Sequence, residues 1–93
     1  MRYRLEQFNE ALDDYLYASQ WYEELDQIEN AAFCLEYVAI IYSEIGDWHS
    51  AGQAMQEAVA RFREVGSSRL ALAEETLSSM LDKQRLKKDE STG

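Results

Sequence analysis

The sequence predicts an all-α fold, a short antiparallel array of four helices, on three observations. Proline is absent, glycine occurs only four times in 93 residues, and Ala, Leu, Glu and Gln abound, so helix formers dominate and breakers are few. Apolar residues recur three and four positions apart over long stretches, which is helical spacing and not the alternation of a strand. Between those stretches the breaks are short: Leu25-Asp26-Gln27, Gly46-Asp47, and Gly66 followed by Ser67 and Ser68. Helices joined by so few residues must run antiparallel with their apolar faces together. The expected helices lie near 3–25, 29–45, 48–65 and 68–86, forming one domain over 1–86 with a polar, fraying tail over 87–93.

Each element has its own justification. The first helix carries Leu5, Phe8, Leu12, Tyr15, Tyr22 and Leu25 along one stripe, with Ala11, Ala18 and Ser19 between them. Asp26 and Glu29 have the spacing of a capping box for the second helix, whose core stripe is Leu35, Val38, Ala39, Tyr42 and Ile45. Gly46 suits the left-handed conformation that ends a helix, and Asp47 can accept a bond from the free amides that start the next. The third helix then buries Ala51, Met55, Ala58, Val59, Phe62 and Val65. In the fourth, Leu70, Ala73, Leu77, Met80 and Leu81 face inward, while Glu75, Ser78 and Asp82 suit the solvent side of a closing helix.

The stretch from Ala32 to Val65 resembles the tetratricopeptide repeat family. Its residues Leu35, Val38-Ala39, Tyr42, Gly46-Asp47-Trp48, Ala51, Met55 and Ala58 follow that family's pattern over one repeat of about 34 residues. The proline that usually closes the unit is missing. Residues 8–31 also lie on residues 48–71: Phe8 meets Trp48, Ala11 meets Ala51, Ala18 meets Ala58, Tyr22 meets Phe62 and Leu25 meets Val65. That spacing of about 40 residues is similar to the extended repeats of kinesin light chains and of the regulatory arrays of some bacterial transcription activators. In this register helix 1 is the second helix of a repeat, so the array is expected to open in the middle of one. The resemblance implies protein–protein interaction, with the first helix of each repeat lining a groove for a peptide. Carried over by register, Phe33, Glu36, Tyr37, Ile40 and Glu44 fall on that groove, formed by helices 2 and 4. For Phe33 and Ile40 burial against neighbouring helices is the competing reading.

Charge narrows the partner. The net charge is −9, and from Leu5 to Ala60 there is no Lys or Arg but twelve acidic residues. Such a surface repels phosphates and anionic lipid, which argues against nucleic acid or membrane partners and favours a segment carrying Lys or Arg. Simple solubility explains the same charge. No apolar run reaches the roughly 20 residues of a membrane span, and no apolar signal core follows Met1-Arg2-Tyr3-Arg4. A cytoplasmic location is expected.

A catalytic reading finds little. His49 stands alone, and the neighbouring carboxylates Asp13-Asp14 and Glu23-Glu24 do not share a helix face. No phosphate loop and no nucleophile elbow occurs, so no enzyme activity, metal or cofactor is expected. The single Cys34 rules out an internal disulfide and reads as a buried or half-buried thiol. Tyr17 and Trp21, one helical turn apart and opposite the core stripe of helix 1, are the other surplus. Their counterparts in helix 3 are Glu57 and Arg61, so an aromatic pair in their place points to self-association or docking, most simply a two-fold homodimer through helix 1. The alternative function is therefore structural, a self-associating fragment of a longer array.

Overall fold

The computed structural model describes residues 5–92, and the side chains of 7–86. Tyr3, the polar side chains of 87–93 and the inward placement of Leu5 lie outside the described residues and side chains. Four helices follow one another: α1 (Leu5–Glu24), α2 (Ile28–Ile45), α3 (Trp48–Glu64) and α4 (Leu70–Thr92). No strand occurs among the described residues. Each helix packs chiefly on the next, α1 on α2, α2 on α3 and α3 on α4, which draws the molecule out into a slab of 46 × 29 × 21 Å.

The three reversals of the chain are built alike. Asp26 (φ 62°), Gly46 (φ 92°) and Gly66 (φ 64°) are left-handed. After each, the next amide reaches back to a carbonyl five residues earlier: Gln27 to Tyr22 at 2.8 Å, Asp47 to Tyr42 at 2.9 Å, Ser67 to Phe62 at 2.9 Å. This bond, with one from the left-handed residue itself, occupies the helix's last free carbonyls. The capping box expected from Asp26 does not form. Asp26 closes α1, and the N-cap position of α2 belongs to Gln27, whose side chain makes no capping bond. A three-residue connection without glycine needs some residue at positive φ, and aspartate tolerates that better than Leu25 or Gln27. Asp47 caps α3 as expected, accepting from the Ser50 amide at 3.1 Å. Of the two serines offered for α4, Ser67 accepts from the Arg69 amide at 3.1 Å. Two further turn residues delay the start of α4 to Leu70, and the helix runs on through a breaker-free sequence to Thr92.

The core lies along the α2–α3 seam. Phe62, Met55 and Val38 are its largest fully buried side chains, and Leu12, Leu35, Val59 and Met80 close around them. Ala39, Ala51 and Ala58 are completely buried, as expected of small residues where helices meet closely. Phe8 and Tyr42 are half-buried. The expectation that Leu25, Ile45 and Val65 belong to the core is corrected: all three are exposed, at 50%, 37% and 43%. Each sits immediately before a left-handed residue, where the chain leaves the packed seam.

Three changes test this account by denaturant unfolding. Phe62→Ala empties the best-buried site and is expected to cost about 3–5 kcal/mol. Asp26→Gly relieves a strained φ whose cost exceeds the entropy that glycine loses, so it should raise stability by about 0.5–1 kcal/mol. Gly46→Val, with open space around its Cβ but a φ that β-branched residues resist, should lower it by about 1 kcal/mol or more.

Candidate protein-interaction surfaces

The residues expected on a groove between α2 and α4 divide into two groups. Phe33 packs edge-on against Phe62, with ring centroids 5.1 Å apart, and the Arg69 guanidinium lies over its other neighbourhood at 5.9 Å from the ring centre. Glu36 is only 4% exposed, and its carboxylate accepts from Arg69 at 3.2 Å. Ser67 donates to Glu29 across the same junction. The turn before α4 therefore shuts this end of the stripe. Glu36 does not present its charge to solvent.

The other three residues stay open, and they meet α1 instead of α4. Tyr37 (51% exposed) stacks on Tyr15 of α1, centroids 5.2 Å apart and planes 19° from parallel. Ile40, Glu44 and Ile41 continue the wall, and Gln7, Phe8, Ala11 and Tyr15 face them across a cleft of about 340 Å³. The register explains why the cleft is here. Forty positions on, the stripe Phe33-Tyr37-Ile40 becomes Ala73-Leu77-Met80 of α4, where Ala73 is fully buried and Met80 5% exposed against α3. On α3, Gly52 lets Leu81 and Gln84 approach to 3.4 and 3.3 Å of where a Cβ would stand. At the matching place in α1 is Leu12, 7% exposed. A leucine fills the bottom of the seam that a glycine leaves open, and Tyr37 and Ile40 remain above it.

A wider cleft of about 590 Å³ opens on the opposite side, where α1 and α3 flank α2. Its floor is Leu35, Val38 and Ala54, but its walls are Ser50, Gln53, Gln56 and Glu57, and Arg61 crosses toward α1 to hold Glu23 at 2.8 Å. That bridge gives Arg61 a structural part that its sequence position opposite Trp21 does not reveal. The smaller cleft is the more apolar and carries the exposed aromatic ring, so it is the better recognition surface.

Tyr17 (71% exposed) and Trp21 (52%) stand out from α1 as expected. With Ala18 and Tyr22 they line a separate hollow of about 440 Å³. His49 is exposed, its Nδ1 3.2 Å from the Gln84 amide. Among the described residues no cluster of three His, Cys, Asp or Glu could hold a metal. Cys34 is buried, which pushes its thiol above the ordinary value and leaves it a poor nucleophile. No helix of the described residues is long and apolar enough to cross a membrane. No protein-family model, curated protein or solved structure matches the chain.

Two of the ion pairs that tie separate parts of the array together, Arg69–Glu36 and Arg61–Glu23, should differ in weight. Arg69→Ala strands the buried Glu36 carboxylate and is expected to cost about 1–3 kcal/mol. Arg61→Ala removes a pair whose members are both partly solvated, and should cost about 1 kcal/mol or less. Urea unfolding of the two variants checks the order, and an equal loss would mean that Glu36 finds water or another donor.

Proposed function

We propose that the chain is a cytoplasmic protein-interaction module of the tetratricopeptide kind, and not an enzyme. It binds a segment of another protein that carries Lys or Arg, and the cleft between α1 and α2 receives it. The observation that carries this reading is the open Tyr15–Tyr37 stack with Ile40 beside it. Large, stiff aromatic rings exposed at the mouth of an apolar cleft are the usual anchors of recognition. Glu44 stands at the rim, and α1 and α2 carry no Lys or Arg. A cationic segment would meet attraction on both walls.

A second reading, a structural module that self-associates through α1, draws on the exposed Tyr17 and Trp21. Sedimentation of the wild-type chain separates the two, since the first needs no dimer.

The test is a peptide array in which apolar and cationic residues are varied independently. Peptides combining both should bind, and more weakly as salt is raised. Tyr37→Ala should weaken the best binder by about tenfold or more. Glu44→Lys should act mainly by slowing association. Glu36→Lys is not a fair probe, because its side chain is already held by Arg69. Binding that ignores salt, Tyr37 and Glu44 alike would refute the proposal.

A further inference from the structure

One stripe of α1 is left half-open where the rest of the array covers it. In α3 the residues Ala51, Met55, Ala58 and Phe62 are all fully buried. Their counterparts forty positions earlier, Ala11, Tyr15, Ala18 and Tyr22, are each only half-buried. In α2 the matching Ala31, Leu35 and Val38 are 0%, 5% and 1% exposed, and only Tyr42, at the end of the stripe, is half-buried. Each of α2 and α3 has a preceding helix to lie on; among the described residues α1 has none. The stripe broadens into the hollow of Tyr17, Ala18, Trp21 and Tyr22. At the place of buried Ala54 in α3, it carries Asp14.

That aspartate selects the occupant. In a two-fold pairing of α1 with itself about Ala18, Asp14 would lie across from Tyr22 and Glu10 across from Asp26. Since α1 carries several carboxylates and no Lys or Arg, the two copies would meet with like charge, which opposes association. In a head-to-tail stack, the outer side of α4 would offer Glu75, Ser78, Ser79 and Asp82 to the same aspartate, which is no better. A helix with an apolar face and a Lys or Arg beside it satisfies both the stripe and the carboxylates, and a cation can also lie on the Trp21 ring.

We propose that this face of α1 is a second docking surface, which takes a cationic amphipathic helix from another protein in the position that α2 holds on α3. The inference rests on the reading of the chain as an interaction module; the face adjoins the cleft between α1 and α2, whose wall includes Ala11 and Tyr15, but its own determinants are Asp14, Ala18 and Trp21. The occupant differs too, since a helix supplies a continuous apolar ridge that Ala11 and Ala18 leave room for.

The probe is a synthetic peptide of Leu, Ala and Lys patterned as an amphipathic helix, set against the same peptide with Pro at its centre, which cannot hold the helix. The chain has two tryptophans, so in a Trp48→Phe protein the emission reports Trp21 alone. It should shift to the blue with the helical peptide and not with the broken one. Labelled helical peptide should bind Trp21→Ala and Asp14→Lys about thirtyfold more weakly, and Tyr37→Ala as well as wild type. Equal binding of the broken peptide would overturn the helical occupant. Loss with Tyr37→Ala but not with Asp14→Lys would place the peptide in the cleft, leaving the proposed function intact and this inference refuted. No binding by either peptide, or a wild-type dimer that Trp21→Ala dissolves, would refute it as well.

Discussion

Every reversal of this chain depends on one residue in the left-handed region, and the three, Asp26, Gly46 and Gly66, stand twenty positions apart. The interval brings each helix back with the same face turned to its neighbour. Tyr22, Tyr42 and Phe62 each give the carbonyl that closes a turn. A residue added between two turns would rotate the following helix by about 100° and set its polar face in the seam. The packing of Phe62, Met55 and Val38, the bridges of Arg61 and Arg69 and the shape of both clefts all follow from that spacing.

Much of this can be read from the sequence, and what cannot has identifiable causes. The helices and the α2–α3 hairpin announce themselves through apolar spacing and Gly46-Asp47. The forty-residue register is visible because alternate helices repeat their side chains. The twenty-residue step is hidden because what recurs is a backbone conformation, and at Asp26 it occurs without the glycine that would advertise it. Leu25, Ile45 and Val65 read as core because spacing alone does not say where a helix leaves its neighbour. The surface is harder still. Glu36 looks like a groove carboxylate until Arg69, thirty-three positions on, is seen to reach it. Burying a charge is tolerable only with such a partner, and no local pattern links the two. Tyr37, Ile40 and Glu44 were legible as surface residues, but their facing wall, α1 in place of α4, depends on a leucine standing where a later helix has glycine.

The distribution of charge follows from the same bridges. Of the basic side chains described, Arg61 is engaged by Glu23, Arg69 by Glu36, Arg63 by Glu74 at 4.0 Å and Arg85 by Asp82 at 3.3 Å. Lys83 lies 6.0 Å from the centre of the Trp48 ring. All five are carried by α3, α4 or the turn between them. Among the described residues no ion pair forms on the carboxylates of α1 and the open end of α2, Glu10, Asp13, Asp14, Glu24 and Glu44. The acidity of the sequence thus becomes directional in the fold, concentrated on the half of the molecule that also shows the exposed aromatic rings.

That coincidence is what favours the proposed recognition over mere solubility. Among the described residues the two outer helices of the array have no further helix beside them, and their outer sides differ. α4 places Glu75, Ser78, Ser79 and Asp82 on its outer side, with the exposed Leu72 and Leu86 beside them. α1 keeps Tyr15, Tyr22, Tyr17 and Trp21 and sets carboxylates around them. A charge added only to prevent association belongs in place of the apolar residue, as in α4. On α1 the carboxylates surround an apolar face that has been kept. For the proposed partner, an apolar segment that carries positive charge, such a face supplies both complementary terms, and like charge opposes the competitors, which is how an interface acquires selectivity.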